Sequence, residues 1–246
     1  MRNLQFMCGR FVSAGSPDRI AAYFDPVVPT EVVAESLGEN FNVAPTQDVY
    51  ALVGSGDGTA RLDVFHWGLV PSWAKDRKIG SRMINARAET LAEKPAFKRL
   101  FTTKRCIVPM DGFYEWKAGV EGGPVNAKGK PLKQPVFIRR ADGDPLAVAG
   151  LWTRWKDPDD PDGRWLHSTT VITTAANATM AAVHDRMPAI LPSDVWAMWL
   201  DPGVVDPDAL TPLLAGCDDD LLVMHEVSTD VNNVRNNRPD LIEPST

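Results

Sequence analysis

The sequence predicts one α+β domain around a distorted antiparallel β-barrel with flanking short helices. Short runs rich in Val, Ile, Phe and Trp follow one another with compact Gly- and Pro-rich turns between them, as in bent antiparallel sheets. Helix-compatible stretches are few and short, so they flank a sheet rather than form a layer of their own. At 246 residues, 44% hydrophobic and 24% charged, the chain has the composition of a soluble globular protein and can bury a large core.

The elements follow in order. Ser16-Pro17 places a capping hydroxyl before a first-turn proline and predicts a helix start. Gly54-Ser55-Gly56-Asp57-Gly58 predicts a hairpin loop between strands over 48–53 and 60–65. Thr90 is placed to cap a basic helix over 91–101, and residues 118–133, rich in Gly, Lys and Pro, read as a mobile loop. The run Asp157-Pro158-Asp159-Asp160-Pro161-Asp162-Gly163 predicts a turn between strands near 146–152 and 165–174. Ser193-Asp194 and Asp206-Pro207 mark two further helix starts, and no internal repeat is present.

No window approaches the roughly 18 continuous apolar residues of a membrane span, and the first residues lack a secretory signal's apolar run. Cys8, Cys106 and Cys217 are too far apart for a disulfide framework or a CxxC metal site, so a reducing cytoplasm is expected, with no metal, no cofactor and no membrane partner. A net charge of −6 argues at face value against nucleic acid, but its distribution does not. Residues 72–105 carry ten Lys/Arg against three Asp/Glu, whereas residue 142 onward carries eighteen acids against six bases. Such asymmetry hints at a polyanion-binding face on an acidic protein, against the plainer reading of a solvated basic helix.

Four clusters carry candidate chemistry. In Met7-Cys8-Gly9-Arg10, a Cys8 freed at its nitrogen would offer an amine and a thiol, both partly nucleophilic near neutrality and able to close a thiazolidine on an aldehyde. In Ile84-Asn85-Ala86-Arg87-Ala88-Glu89, Asn85 and Arg87 share one face of an extended stretch, where Asn could hold a polar group and Arg a phosphate. Glu115 stands between aromatics in Gly112-Phe113-Tyr114-Glu115-Trp116, where desolvation would raise its pKa toward the range of a general acid or base. His184, in His184-Asp185-Arg186-Met187-Pro188 after the small run 177–183, is a candidate base. Each also has a bland reading: an inert thiol, a turn Asn, a solvent-facing Glu, a capping His. Trp67 and Trp73 beside the basic segment, and the tip Phe41-Asn42-Val43-Ala44-Pro45-Thr46, suit stacking on single-stranded nucleic acid, unless the tryptophans are core.

Together the strings MCGRF, NVAPT, WGLVPSWAKD, INARAET, RCIVPMDGFYEW, HDRMPAIL and VSTDVNNVRNN, spanning residues 7–237, resemble the SRAP (SOS-response-associated peptidase) family, whose members process abasic sites in DNA. The resemblance implies one SRAP domain over 8–240, a tail over 241–246, and a positively charged cleft for single-stranded DNA. It implies a covalent thiazolidine crosslink between N-terminal Cys8 and the ring-opened abasic sugar, a crosslinking or lyase-type activity. On this mapping Asn85 orients Cys8 and the sugar, Glu115 shuttles protons and His184 assists ring opening. Arg10, Arg87 and Arg186 match phosphate-contacting arginines, and Asn42, Pro45 and Trp73 fall on the DNA-binding side. A monomer is expected, cytoplasmic and nucleoid-associated when bound to DNA.

Residues 1–7 depart from this pattern, because a peptide bond to Met7 would occupy the amine of Cys8. Translation from Met7, or cleavage before Cys8 by the protein itself or another protease, would expose it; otherwise the protein would read DNA without crosslinking it. A Cys-dependent peptidase using Cys8, Glu115 and His184, and a non-covalent reader of damaged single strands, are the alternatives.

Overall fold

Strand-forming runs carry most of the chain's order. The computed structural model describes residues 8–119, 122, 125, 129, 131–160 and 162–245. Its strands are β1 (Phe11–Ser13), β2 (Thr30–Val32), β3 (Asn40–Val43), β4 (Asp48–Gly54), β5 (Ala60–Trp67), β6 (Asn85–Arg87), β7 (Arg105–Met110), β8 (Gly112–Lys117), β9 (Gln134–Arg140), β10 (Leu146–Trp155), β11 (Leu166–Ala175), β12 (Arg186–Pro188) and β13 (Leu222–Glu226). The helices are α1 (Pro17–Phe24), α2 (Pro95–Thr103), α3 (Ala178–Ala181), α4 (Trp196–Leu200) and α5 (Pro207–Leu210).

Five strands close a barrel in the order β11-β10-β7-β4-β5, with β5 returning to β11. The expected barrel is therefore present, but it is mixed. Pairings from β11 through β5 are antiparallel, whereas closure is parallel, with Ser168 opposite His66 and Thr169 opposite Trp67. The β4–β5 and β10–β11 pairs are hairpins, which are antiparallel; β5 and β11 are joined by a long connection that imposes no such direction. A second sheet, β13-β9-β8-β1-β3, is antiparallel throughout.

Period-two alternation divides the core. Val49, Ala51 and Val53 of β4 join one buried cluster with Trp67, Val108, Val171 and, from the second sheet, Phe11, Phe113 and Ile138. Tyr50 and Leu52 point the other way, into a cluster with Phe24 of α1, Phe97 and Phe101 of α2 and Trp199 of α4. Helices α1, α2, α4 and α5 thus cover the outside of the barrel, and the second sheet packs against one end of its interior.

Ser16 and Asp206 cap as expected, accepting from the N–H groups of Arg19 (3.3 Å) and Asp208 (3.0 Å). Thr90 does not cap a helix. It lies in a 3-10 turn, and α2 begins at Pro95 after an extended Lys94. Proline disfavours helical geometry in the residue before it and is itself pre-set for a first turn, so it divides the basic segment. Ser193 likewise opens a 3-10 turn without a side-chain cap bond, and α4 starts only at Trp196. Of the loop expected over 118–133, residues 120, 121, 123, 124, 126–128 and 130 lie outside the described residues, as does Pro161 of the Asp-rich turn. At the boundary expected at 240, the chain stays packed on the domain. Leu241 is fully buried with Tyr114, Phe137 and Val231, and Ser245 N–H donates to Glu226 O at 2.8 Å.

Gly68 ends β5 at φ +132°, and a Cβ there would stand 2.7 Å from Gly80 O. This contact folds the segment after β5 back on itself. Gly68→Ala is expected to cost about 1–3 kcal/mol, seen as a lower urea midpoint.

Candidate functional site

The second sheet brings the first cluster to the third. β8 lies between β1 and β9, with Glu115 opposite Val136. Cys8, just before β1, adopts φ +45°, an uncommon conformation for a side-chain-bearing residue. Its N–H donates to Glu115 Oε1 at 2.5 Å. Both groups are withdrawn from water, Cys8 at 0% and Glu115 at 3% exposure. Burial pushes the Cys8 thiol well above its ordinary pKa, and the neighbouring Glu115 adds to the rise. Burial also raises the Glu115 carboxyl to about 7, against the opposing N–H groups of Cys8 and Trp116 and the charge of Lys133. A carboxyl poised near neutrality can both give and take a proton.

His184 follows α3, with Nδ1 3.1 Å from Arg186 N–H and 2.9 Å from Asp185 Oδ1. The neutral ring accepts from the backbone, while a protonated ring would donate to the carboxylate. Burial lowers its pKa, partly offset by Asp185, so the neutral form dominates at pH 7. Lys133 acts electrostatically on both Glu115 and His184. Sequence reasoning missed it inside a loop, and only its position beside β9 brings it to these groups. Asn85 and Arg87 lie on β6, which pairs in parallel with β11; Asn85 is half-buried, Ala86 buried and Arg87 exposed, the alternation an extended stretch requires.

Three predicted DNA-facing residues, Arg10, Asn42 and Arg186, hydrogen-bond within the protein, Arg10 donating to Val231 O (2.9 Å) and Asn232 O (3.4 Å). Asn42 is 1% exposed, and its amide donates to the carbonyls of Val231 (3.2 Å), Asn233 (3.1 Å) and Asn236 (2.9 Å). A buried amide must find such partners, and Asn42 anchors the VNNVRNN segment through them. Its Oδ1 accepts from Arg10 Nη1 at 2.7 Å, which holds Arg10 at the cleft edge. Arg186 is paired with Glu89 through both Nη atoms and donates to Thr173 O at 2.6 Å. That pairing pulls the Glu89 carboxyl below its usual range.

A cleft of about 580 Å³ opens beside Cys8, lined by Gly9, Arg10, Pro45, Ser81, Ile84 and Trp116. A second, of about 600 Å³, is lined by Trp73, Lys75, Lys78, Ser81 and Arg82. Ser81 lines both, so the basic groove lies next to the Cys8 cleft. Trp73 is 67% exposed, whereas Trp67 is fully buried. Trp155 Nε1 donates to Ala74 O at 2.7 Å and pins the Trp73 segment to the barrel. Among the described residues no group of His, Cys, Asp and Glu is arranged for a metal ion, and no helix is long and apolar enough to cross a membrane.

Residues 7–234 match the family model for SOS response associated peptidase (SRAP). The chain belongs to the SRAP family. One SRAP relative, the abasic site processing protein YoqW of Bacillus subtilis (strain 168), is 40% identical over 242 residues, covering 96% of this chain and 99% of its own. Another, the abasic site processing protein YedK of Escherichia coli (strain K12), is 31% identical over 242 residues, covering 97% and 100%. The SRAP fold described above is similar to a crystal structure of a Bacteroides thetaiotaomicron protein, with a TM-score of 0.79, 25% identity and 97% and 100% coverage.

Proposed function

We propose that the protein captures abasic sites in single-stranded DNA as a thiazolidine adduct of Cys8. The observation that carries this is the Cys8 nitrogen held 2.5 Å from a buried carboxyl with a pKa of about 7. The similarity to proteins named for abasic site processing supports it, as does the exposed Trp73 among Lys75, Lys78 and Arg82, which suits stacking on bases beside phosphates.

Such chemistry requires a free α-amine on Cys8, through initiation at Met7 or cleavage of the Met7–Cys8 bond. Glu115 then takes the ammonium proton, leaving a neutral amine to attack the aldehyde carbon of the ring-opened sugar. Protonated Glu115 gives its proton to the carbinolamine hydroxyl, which departs as water and leaves a protonated imine; the Glu115 carboxylate then takes back the N–H proton to give the neutral imine. The Cys8 thiol adds to the imine carbon, its sulfur forming the new C–S bond and its proton passing to the nitrogen, which closes the five-membered ring. Neutral His184 serves as the base for opening the sugar, Asn85 orients sugar and nucleophile, and Arg10 and Arg87 steady the flanking phosphates. Arg186 positions β6 through Glu89.

The buried, high-pKa thiol of Cys8 disfavours the alternative of a thiolate peptidase acting on other proteins. The test combines intact-mass analysis of the N-terminus with incubation on a single-stranded abasic oligonucleotide. Protein beginning at Cys8 is expected to give a denaturation-resistant adduct. Cys8→Ala, and protein retaining Met7, are expected to give none; equal adduct yield from either would overturn the chemistry.

A further inference from the structure

The alternation that turns Phe65 and Trp67 into the barrel also turns Arg61 and Asp63 inward, toward its other end. Phe11, three residues from Cys8, meets Trp67 at a ring distance of 5.0 Å. Arg61 lies six residues back along β5, about 20 Å away. The second barrel mouth therefore stands well apart from Cys8, at the start of β5, β7 and β11 and the end of β10.

This mouth is basic and aromatic. On β10, Trp152 and Arg154 share a face, and on β11 His167 lies opposite Arg154. Lys104 Nζ sits 3.9 Å above the Trp152 ring, and the Arg154 guanidinium 4.8 Å above Trp165. His167 stacks on Phe65 at 5.7 Å and meets Trp152 edge-on at 6.0 Å. Arg61 approaches Asp63 at 3.5 Å, but among the described residues Lys104, Arg154 and the nearby Arg99 have no carboxylate within salt-bridge distance. Burial first, then the like charges of Arg154 and Arg99, lowers the pKa of Lys104. Trp165 remains 52% exposed with Arg154 against its ring. The acids Asp157, Asp159, Asp160 and Asp162 share the β10–β11 connection with Trp165.

We propose that this mouth is a second single-stranded DNA site, in which Lys104 and Arg154 take backbone phosphates and Trp165 stacks on an adjacent base. Unpaired cations supply the electrostatic term, and exposed indole supplies sequence-tolerant stacking. The site extends the DNA reading proposed above and rests on it; a long strand would engage both regions, a short one only the Cys8 cleft.

The experiment measures full-chain binding to an oligothymidylate of about 30 nucleotides across a salt series, and crosslinking of an abasic oligonucleotide of about 6 nucleotides. Lys104→Ala/Arg154→Ala is expected to reduce the slope of log K against log salt by about 1.4, and to leave short-oligonucleotide crosslinking unchanged. Trp165→Leu is expected to weaken long-strand binding about fivefold or more without changing the slope. Lys156→Ala/Arg164→Ala, which removes two charges near the hairpin tip, is the control and should leave the slope intact. Thermal melts confirm that each variant is folded. The second site is refuted if the double variant binds the long strand like wild type, or if the tip variant reproduces its effect. Wild-type protein that crosslinks the short strand but gains nothing from the long one refutes this site alone. Failure to bind or crosslink either strand removes the proposed function as well.

Discussion

Glu115→Gln is expected to slow adduct formation by about 100-fold or more, while stabilising the protein above neutral pH. Glutamine keeps an acceptor oxygen for the Cys8 nitrogen but can neither take the ammonium proton nor protonate a departing hydroxyl. The stability effect has the opposite sign because the native carboxyl titrates at about 7, above the ordinary 4.5. Between those values the folded protein holds more protons than the unfolded chain, so wild-type stability falls as pH rises through this window, by roughly 3 kcal/mol in all. The uncharged variant escapes that loss. Urea denaturation at pH 5 and pH 8 should show a gap between variant and wild type that widens at the higher pH. In protein with a free Cys8 amine the ammonium beside the carboxylate narrows the gap. Wild-type crosslinking rates in the variant, or an unchanged pH dependence of stability, would refute this role for Glu115.

Trp67→Ala is expected to cost about 3–5 kcal/mol, much of the stability of an ordinary domain. Trp67 is fully buried, packs edge-on against Phe11 and donates from Nε1 to Ile84 O at 3.0 Å. Phe11 lies on the strand that follows Cys8, and Ile84 immediately precedes Asn85. Losing the indole should therefore lower the urea midpoint and adduct yield together. Trp73→Ala should do neither in that way. Its ring is solvent-exposed, so stability should stay within about 0.5 kcal/mol while single-strand binding weakens by about 1–3 kcal/mol. If the two variants behaved alike, the division between core and ligand-facing tryptophan would fail.

Local chemistry was legible where one residue type settles a local geometry. The glycine-rich run at 54–58 joins β4 to β5, and Ser16 and Asp206 cap helices, because turn and cap preferences act over a few residues. The desolvation of Glu115 was legible from its aromatic neighbours. The helix expected after Thr90 failed because Pro95 carries a stronger local constraint than a capping hydroxyl. Lys133 was invisible, since its importance lies in charge acting across space on Glu115 and His184.

The amino-acid order by itself determined the short strands, their turns, the basic stretch over 72–105 and the set of reactive residue types. Those properties depend on neighbours along the chain. Only the tertiary structure decided that the barrel closes through a parallel β5–β11 pairing, that Asn42 faces inward while Trp73 faces out, and that the Cys8 nitrogen meets Glu115 across 107 residues of sequence separation. Closure, burial and the meeting of remote groups depend on which surfaces exclude water together, and that is settled when the whole chain packs.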